Sequence, residues 1–286
     1  MRIVSLLPSL TELVCALGHR SELVGVTHEC DYPEGIDRLR HLTRSRIPVS
    51  ASSAEIDTLV QAQAGSLYDL DADLLARLEP DLILTQSQCD VCAVNERTVR
   101  DVAQSLPGAP HVESVNPTSL SGVFAMFRRV GELIGAGDEA EALIARFDST
   151  AAEISGRLPS VPHRRVVLLE WFDAPFASGH WNPELIALAG GHEAIGQAGL
   201  PSRRLTWDEL DQAEPEVILL SPCGFPLGRT EAELPRLQQR PEWARLRAVR
   251  EGAVAIIDGS SFFSRPGPRL GTSLCIAAAA IHPGQC

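Results

Sequence analysis

The 286-residue chain contains no lysine: all 25 of its basic residues are arginine. That excludes a Walker-type phosphate lysine, a Schiff-base lysine and a lysine general base. Aromatic residues are scarce at 5%, and only two of them are tyrosine. No uninterrupted apolar run approaches the ~18 residues that a membrane-crossing helix requires, so no membrane span is expected. Positive charge is also in deficit, with 37 carboxylates against 25 arginines and a net charge of −12. This balance argues against nucleic acid and anionic membrane surfaces as partners. Three catalytic signatures are missing: a G-x-S-x-G elbow, a G-x-G-x-x-G turn opening a helix after a strand, and H-E-x-x-H. No catalytic arrangement stands out, and a non-catalytic protein is the expectation, with a thiol- or metal-dependent enzyme as its rival.

What is present is ordinary globular composition, 44% hydrophobic with a mean hydropathy of +0.02. The length allows a large core and two domains. Seven cysteines are an odd count without small-scaffold spacing, which reads as reduced thiols. Met1 is followed at once by the strand-like run Ile3-Val4-Ser5-Leu6-Leu7 rather than a signal-peptide core. The expected location is therefore cytoplasmic, or periplasmic if an export signal has been trimmed.

The order of elements predicts an α/β protein. Strands are expected at Arg2–Leu6, Leu23–Val26, Asp81–Thr85 and His111–Ser114, with Ser9-Leu10-Thr11-Glu12 as a capping box for the first helix. A helical stretch runs from Thr118 to about Leu158, broken at Gly135-Ala136-Gly137. Strands then recur at Arg165–Glu170, Glu216–Leu220 and Ala253–Asp258. Glu79-Pro80-Asp81-Leu82-Ile83-Leu84 is nearly repeated as Glu214-Pro215-Glu216-Val217-Ile218-Leu219. In each phrase a proline ends a helix and a buried strand begins. The reading is two Rossmann-like lobes with mostly parallel sheets, 1–117 and 161–286, joined by a long helical bridge over 118–160.

Loops at the carboxyl ends of parallel strands are where open α/β sheets hold ligands. One such loop, Trp171–Asn182, concentrates the scarce aromatics with a histidine: Trp171, Phe172, Phe176, His180 and Trp181. It suits a large, flat, partly apolar ligand. Trp171 and Trp181 are expected to face Phe262 and Phe263 across a cleft. Glu170 and Asp173 are expected to fix this loop through hydrogen bonds. The loop Ser221–Gly228 adds Cys223 and Phe225.

Four cysteines fall in such loops: Cys30, Cys89, Cys92 and Cys223. Cys89-Asp90-Val91-Cys92 has metal-ligand or redox spacing, and with His28 and Cys30 it would form a soft N/S set for zinc or another thiophilic metal. The alternative is buried small hydrophobes in tight loops. Cys15 and Cys275 read as core residues, and His19, His41, His111, His163, His192 and His282 as solvated loop or cap positions.

With Ile3-Val4-Ser5-Leu6-Leu7-Pro8-Ser9-Leu10-Thr11-Glu12-Leu13, Val24-Gly25-Val26 before Asp31-Tyr32-Pro33, Pro80-Asp81-Leu82-Ile83-Leu84, Pro175-Phe176-Ala177-Ser178-Gly179 and Pro268-Arg269-Leu270 in this order, the chain resembles the helix-bridged substrate-binding proteins of ABC importers, in particular their cobalamin-binding branch. The resemblance covers essentially the whole chain. It implies a cleft between lobes, a corrinoid ligand and an ABC permease as partner, and it maps ligand contacts onto Pro8, Glu29, Phe262, Phe263 and Arg265. Glu29 stands where the branch has an aromatic ring, and Phe262 where it has tryptophan. Relatives of this fold also carry haem, ferric siderophores and metals, so a haem or metal-chelate binder is a further reading. In a corrinoid complex His28 would be placed to ligate cobalt. Exported relatives tie the second lobe with a disulfide from a cysteine before a Gly-Gly pair, but here Ala189 precedes Gly190-Gly191 and leaves Cys275 unpaired. Of the permease-docking carboxylates, Glu55 matches the first, and Glu231, Glu233 and Glu242 are candidates for the second. A cytosolic enzyme that uses Cys30, Cys89 and Cys92 is the competing class.

Overall fold

A computed structural model of the chain describes residues 1–48, 50–62, 67–87, 94–158, 162–172 and 174–285. The chain divides into two compact units. The first comprises Met1–Ala51, Glu55–Asn116 and Ala125–Ala142, and the second Ser52–Ala54, Pro117–Phe124 and Leu143–Cys286.

The first unit is built on β1 (Ile3–Ser5), β2 (Leu23–Val26), β3 (Arg40–His41), β4 (Thr43–Ser45), β5 (Tyr68–Leu70), β6 (Leu82–Gln86) and β7 (His111–Val115). Five of these form a parallel sheet in the order β3-β2-β1-β6-β7, while β4 and β5 pair as a separate antiparallel ribbon. Every residue of β1 and β6 is buried, as expected for strands covered on both faces. The helices are α1 (Pro8–Ala16), α2 (Ser53–Ala62), α3 (Ala72–Leu78), α4 (Glu96–Ser105), α5 (Leu120–Ile134) and α6 (Gly137–Arg157). The chain passes between the units five times, three of them within α2, α5 and α6.

α1 starts differently from the sequence expectation. Leu7 is its N-cap and makes no side-chain cap; Pro8 opens the helix, so Ser9-Thr11-Glu12 lie inside it and form no capping box. Proline's fixed φ and missing N–H suit this first position. α3 is capped instead by Asp71, which accepts from the Leu74 amide at 2.8 Å.

The second unit contains β8 (Arg164–Phe172), β9 (Pro175–Ala177), α7 (Asn182–Leu188), β10 (Gly191–Glu193), β11 (Arg203–Arg204), α8 (Trp207–Gln212), β12 (Val217–Leu220), α9 (Leu227–Gln238), α10 (Pro241–Arg245), α11 (Arg247–Arg250), β13 (Val254–Ile256) and α12 (Leu270–Ile281). β8, β12 and β13 are parallel. Along one edge of β8, β10 pairs in parallel at residues 164–166, and β9 pairs antiparallel at 169–172. The buried stripe Leu270, Ser273, Leu274, Ala277, Ala278 and Ile281 recurs at helical spacing on α12, which packs on α7 and β12. Cys275 lies off that stripe and is exposed, so it is not the core residue expected. His282 is buried rather than solvated, with Nε2 3.1 Å from the Gly190 carbonyl oxygen.

The repeated Glu-Pro phrase produces the same local event twice. Glu79 and Glu214 both adopt left-handed φ, +41° and +45°, before their prolines, and a fully buried strand follows. The Cδ of proline bars right-handed helix at the preceding residue, so each helix has to stop there.

Candidate functional site

In the first unit, Pro8, His28, Glu29 and Cys30 all follow the carboxyl ends of β1 and β2. The strand order reverses at β1, which has β2 on one side and β6 on the other, and that is the switch point where open sheets hold ligands. His28 is fixed by Thr43: its amide donates to Oγ1 at 3.1 Å, and Nδ1 lies 2.7 Å from the same oxygen. Its Nε2 is 3.2 Å from Glu29 Oε1, and its ring is 5.5 Å from that of Tyr68. Cys30 meets Thr11. Its buried Sγ lies 3.1 Å from Thr11 Oγ1, which donates to Ser5 Oγ at 2.8 Å. His28 and Cys30 are therefore held by different partners, and the described residues contain no group of three or more His, Cys, Asp or Glu that would hold a metal. The metal-set members Cys89 and Cys92 lie outside the described residues, as does Asp173.

In the second unit, the expected aromatic loop begins as strand. Trp171 and Phe172 finish β8 and pair with Phe176 and Pro175 of β9, so the segment is a hairpin. Trp171 meets the Phe225 ring edge-on at 5.0 Å, Phe172 is 6.0 Å from it, and the Arg229 guanidinium stacks 3.9 Å above it. Phe225 is buried and Trp171 only partly so. Cys223 is exposed, and its amide donates to the Glu170 carbonyl at 3.0 Å.

Trp181 does not face Phe263 from an opposing lobe: both belong to the second unit, and the Trp181 indole donates to the Phe263 carbonyl at 3.1 Å. Trp181 is 4% exposed and Phe263 0%. An indole that satisfies its N–H on buried backbone is a core residue as well as a candidate contact. Phe262, beside it, is partly exposed under the Arg269 guanidinium at 5.3 Å. The turn that carries Phe262, Phe263 and Arg265 is shaped by the Asp258 carboxylate, which accepts from the Ser260 amide and hydroxyl and the Ser261 amide at 2.7–2.9 Å.

The sequence placed Glu170 as a loop-fixing carboxylate, and it is one: Asn182 Nδ2 at 2.9 Å and Ser202 Oγ at 2.6 Å donate to it. Burial raises its pKa against the pull of these donors. His180 is half-buried, and desolvation lowers its pKa and favours the neutral ring. Sequence reasoning missed Glu193. Its carboxylate accepts from the Leu168, Ile195 and Gly196 amides and from Ser178 Oγ at 3.1–3.2 Å, and burial pushes it up to about 7. The only signal for it was an acid two residues after the Gly-Gly turn that follows an apolar helix. Glu233, a docking candidate, accepts from Ser53 Oγ at 2.9 Å and pairs with Arg236 at 3.6 Å.

The sequence profile described as "Periplasmic binding protein" matches residues 3–260. The chain belongs to that family. Its members bind rather than transform their ligands, in keeping with the absence of catalytic signatures in this sequence. An uncharacterized ABC transporter substrate-binding lipoprotein of Bacillus subtilis is 23% identical over 291 residues, covering 99% of this chain and 80% of that protein. A vitamin B12-binding protein of Yersinia pestis is 23% identical over 222 residues, covering 77% of this chain and 69% of that protein. Among solved structures, a periplasmic haem-binding protein from Pseudomonas aeruginosa superposes with a TM-score of 0.75 at 20% identity, covering 99% of this chain and 93% of that one.

The family corrects the expected location. Periplasmic binding proteins and a substrate-binding lipoprotein point outside the cytoplasm, which overturns the cytoplasmic reading. An odd number of cysteines reports on redox compartment only when nothing stronger does.

Proposed function

We propose that this periplasmic binding protein captures a flat, metal-centred macrocycle, a corrinoid first, and delivers it to an ABC permease. Support comes from the set at the carboxyl edge of the second sheet: Trp171 set edge-on against Phe225, and the partly exposed Phe262. Aromatic faces bind the apolar plane of such a ring, while nearby guanidinium and imidazole groups suit its polar edge and its metal. Relatives named for vitamin B12 and for haem make both ring systems chemically reasonable cargo. We assign Trp171, His180, Trp181, Cys223, Phe225, Phe262, Phe263 and Arg265 of the second unit as the contact set, and keep Pro8, His28, Glu29 and Cys30 as the candidate contacts within the first unit, with zinc left out of both. Haem is the second reading, favoured by His28: its Nδ1 is engaged by Thr43 Oγ1, and its buried Nε2, beside Glu29, is the nitrogen left for a ring metal.

Titration of the purified protein with cyanocobalamin and with haemin, followed by absorbance and tryptophan fluorescence, tests this. Saturable binding of cyanocobalamin with quenching, reduced at least tenfold by Trp171→Ala, supports the corrinoid reading. A Soret shift with haemin alone transfers the site to haem. Binding of neither sinks the proposal.

A further inference from the structure

One excursion of the second unit leaves β9 at Ala177, runs through α7 and β10, and returns at Arg203, where β11 pairs Arg203 with Ala177 itself. Between these points the chain crosses itself. The His180 amide donates to the Leu200 carbonyl at 2.7 Å, and the Gly199 amide donates back to the His180 carbonyl at 3.0 Å. At the crossing a Cβ on Gly179 would overlap the Leu200 carbonyl and the Ser202 amide, and one on Gly196 would overlap the Ser178 carbonyl. Only glycine permits backbones to pass this closely. His180 itself sits at φ +54°, a conformation that glycine or asparagine usually fills. Such a residue stays there only when its surroundings over-determine it, and strained side chains of this kind concentrate at ligand sites.

The over-determination comes from Glu170. Its carboxylate accepts from the Gly179 amide immediately before His180, from Asn182 two residues after it, and from Ser202 just before β11. Glu193 fastens the foot of the same excursion through Ser178, Ile195 and Gly196. Neither carboxylate has a basic side chain among its recorded partners, so both are held by neutral donors that point along fixed directions.

We propose that Glu170 is a positioning residue that clamps the chain on both sides of His180 and so aims the imidazole at the bound small molecule. The reading of His180 as a contact rests on the ligand assignment above. Loss of the clamp leaves the ring present but free to turn away, because a left-handed histidine relaxes toward right-handed or extended backbone once its neighbours release it.

A double-mutant cycle between Glu170→Gln and His180→Gly, read by titration with cyanocobalamin and haemin, tests the coupling. Glutamine keeps the shape but turns one acceptor oxygen into a donor, and Ser202→Ala is the milder companion if Glu170→Gln folds poorly. Glu170→Gln should raise the Kd about tenfold in the parent and less than twofold in the His180→Gly background, since no imidazole then remains to aim. An equal factor in both backgrounds, or no effect in the parent, overturns the proposal. If neither probe binds the parent protein, the ligand assignment fails, and the ligand-free protein decides the positioning separately. There Glu170→Gln should shift the His180 ring Cε1–H resonance and speed exchange of its amide while β12 amides hold. An unmoved His180 signal overturns the clamp.

Discussion

The two units are built from the same βα grammar yet solve the burial of polar groups differently. The first carries 21 carboxylates against 11 arginines and the second 16 against 14, so nearly all of the net −12 lies in the first. Most of its acids stay at the surface, where Glu113 is held by Arg129 with two bonds of 3.0 Å; one, Glu12 on α1, is buried, beside hydroxyls and a thiol such as Ser5, Thr11 and Cys30. The second unit has less charge but holds two desolvated carboxylates, Glu170 and Glu193, each on several neutral donors. The reason is topological. The first sheet is wholly parallel, so its backbone groups are satisfied strand to strand. The second changes direction at β9 and β11, and the irregular crossing between them exposes amides that only a many-handed acceptor reaches. A carboxylate supplies up to four acceptor positions in one residue.

The largest test of this contrast is Trp181→Ala. The indole fills the core beside the crossing and donates to Phe263, so its removal should cost about 3–5 kcal/mol in denaturant unfolding. Trp171→Ala, at a partly exposed site, should cost distinctly less stability. Equal losses would mean that the crossing is no more tightly packed than the hairpin.

Next comes pH. Glu193 has its folded pKa raised to about 7 from an ordinary 4.5 by burial. The stability it permits is fully present below pH 4.5 and is lost as pH rises to about 7, because the unfolded chain releases its proton first. The loss amounts to roughly 3 kcal/mol as an upper figure. Hydrogen exchange should show β12 amides quickening over that window while β6 amides do not, and Glu193→Gln should flatten the dependence. Glu113 of the first unit has the opposite sign. Hydrogen bonds from Arg129, then His111, lower its pKa, so its contribution is lost as pH falls through that lowered value. A parallel response of both units would erase the distinction.

Thr43→Val should have a smaller effect, about 1 kcal/mol, through loss of the two His28 contacts. Its diagnostic readout is a changed His28 ring resonance in the free protein. Smallest is Arg128→Ala: the Arg128–Glu141 pair is 47% and 57% exposed, and such pairs change Tm little if at all.

Much of this was legible in the chain. The apolar runs of β6, β8 and β12, the two Glu-Pro stops and the Gly135-Ala136-Gly137 break are local events, set by side-chain volume and by the φ limits of proline and glycine. Family membership followed from the order of short phrases. The site was legible only in part: Glu170 was read correctly from its place at a strand end, whereas Trp171 and Phe172 were taken for loop because the return strand β9 is only three residues long. His28 and Cys30 are engaged by Thr43 and Thr11, 15 and 19 residues distant, which no local pattern reveals, and Cys89 and Cys92 lie outside the described residues.

By itself, then, the sequence determined the alternation of strands and helices, the absence of lysine and catalytic-motif chemistry, and the clustering of scarce aromatics after one strand. Tertiary structure alone decided that Trp181 and Phe263 are one buried contact, that His282 is inside and Cys275 outside, and that Glu193 is a buried acceptor. Local elements are fixed by neighbours in the chain through steric limits and periodicity. Burial and hydrogen bonding depend on which distant segment arrives beside a residue, and at the crossing of Gly179 with Leu200 that partner is 21 positions away.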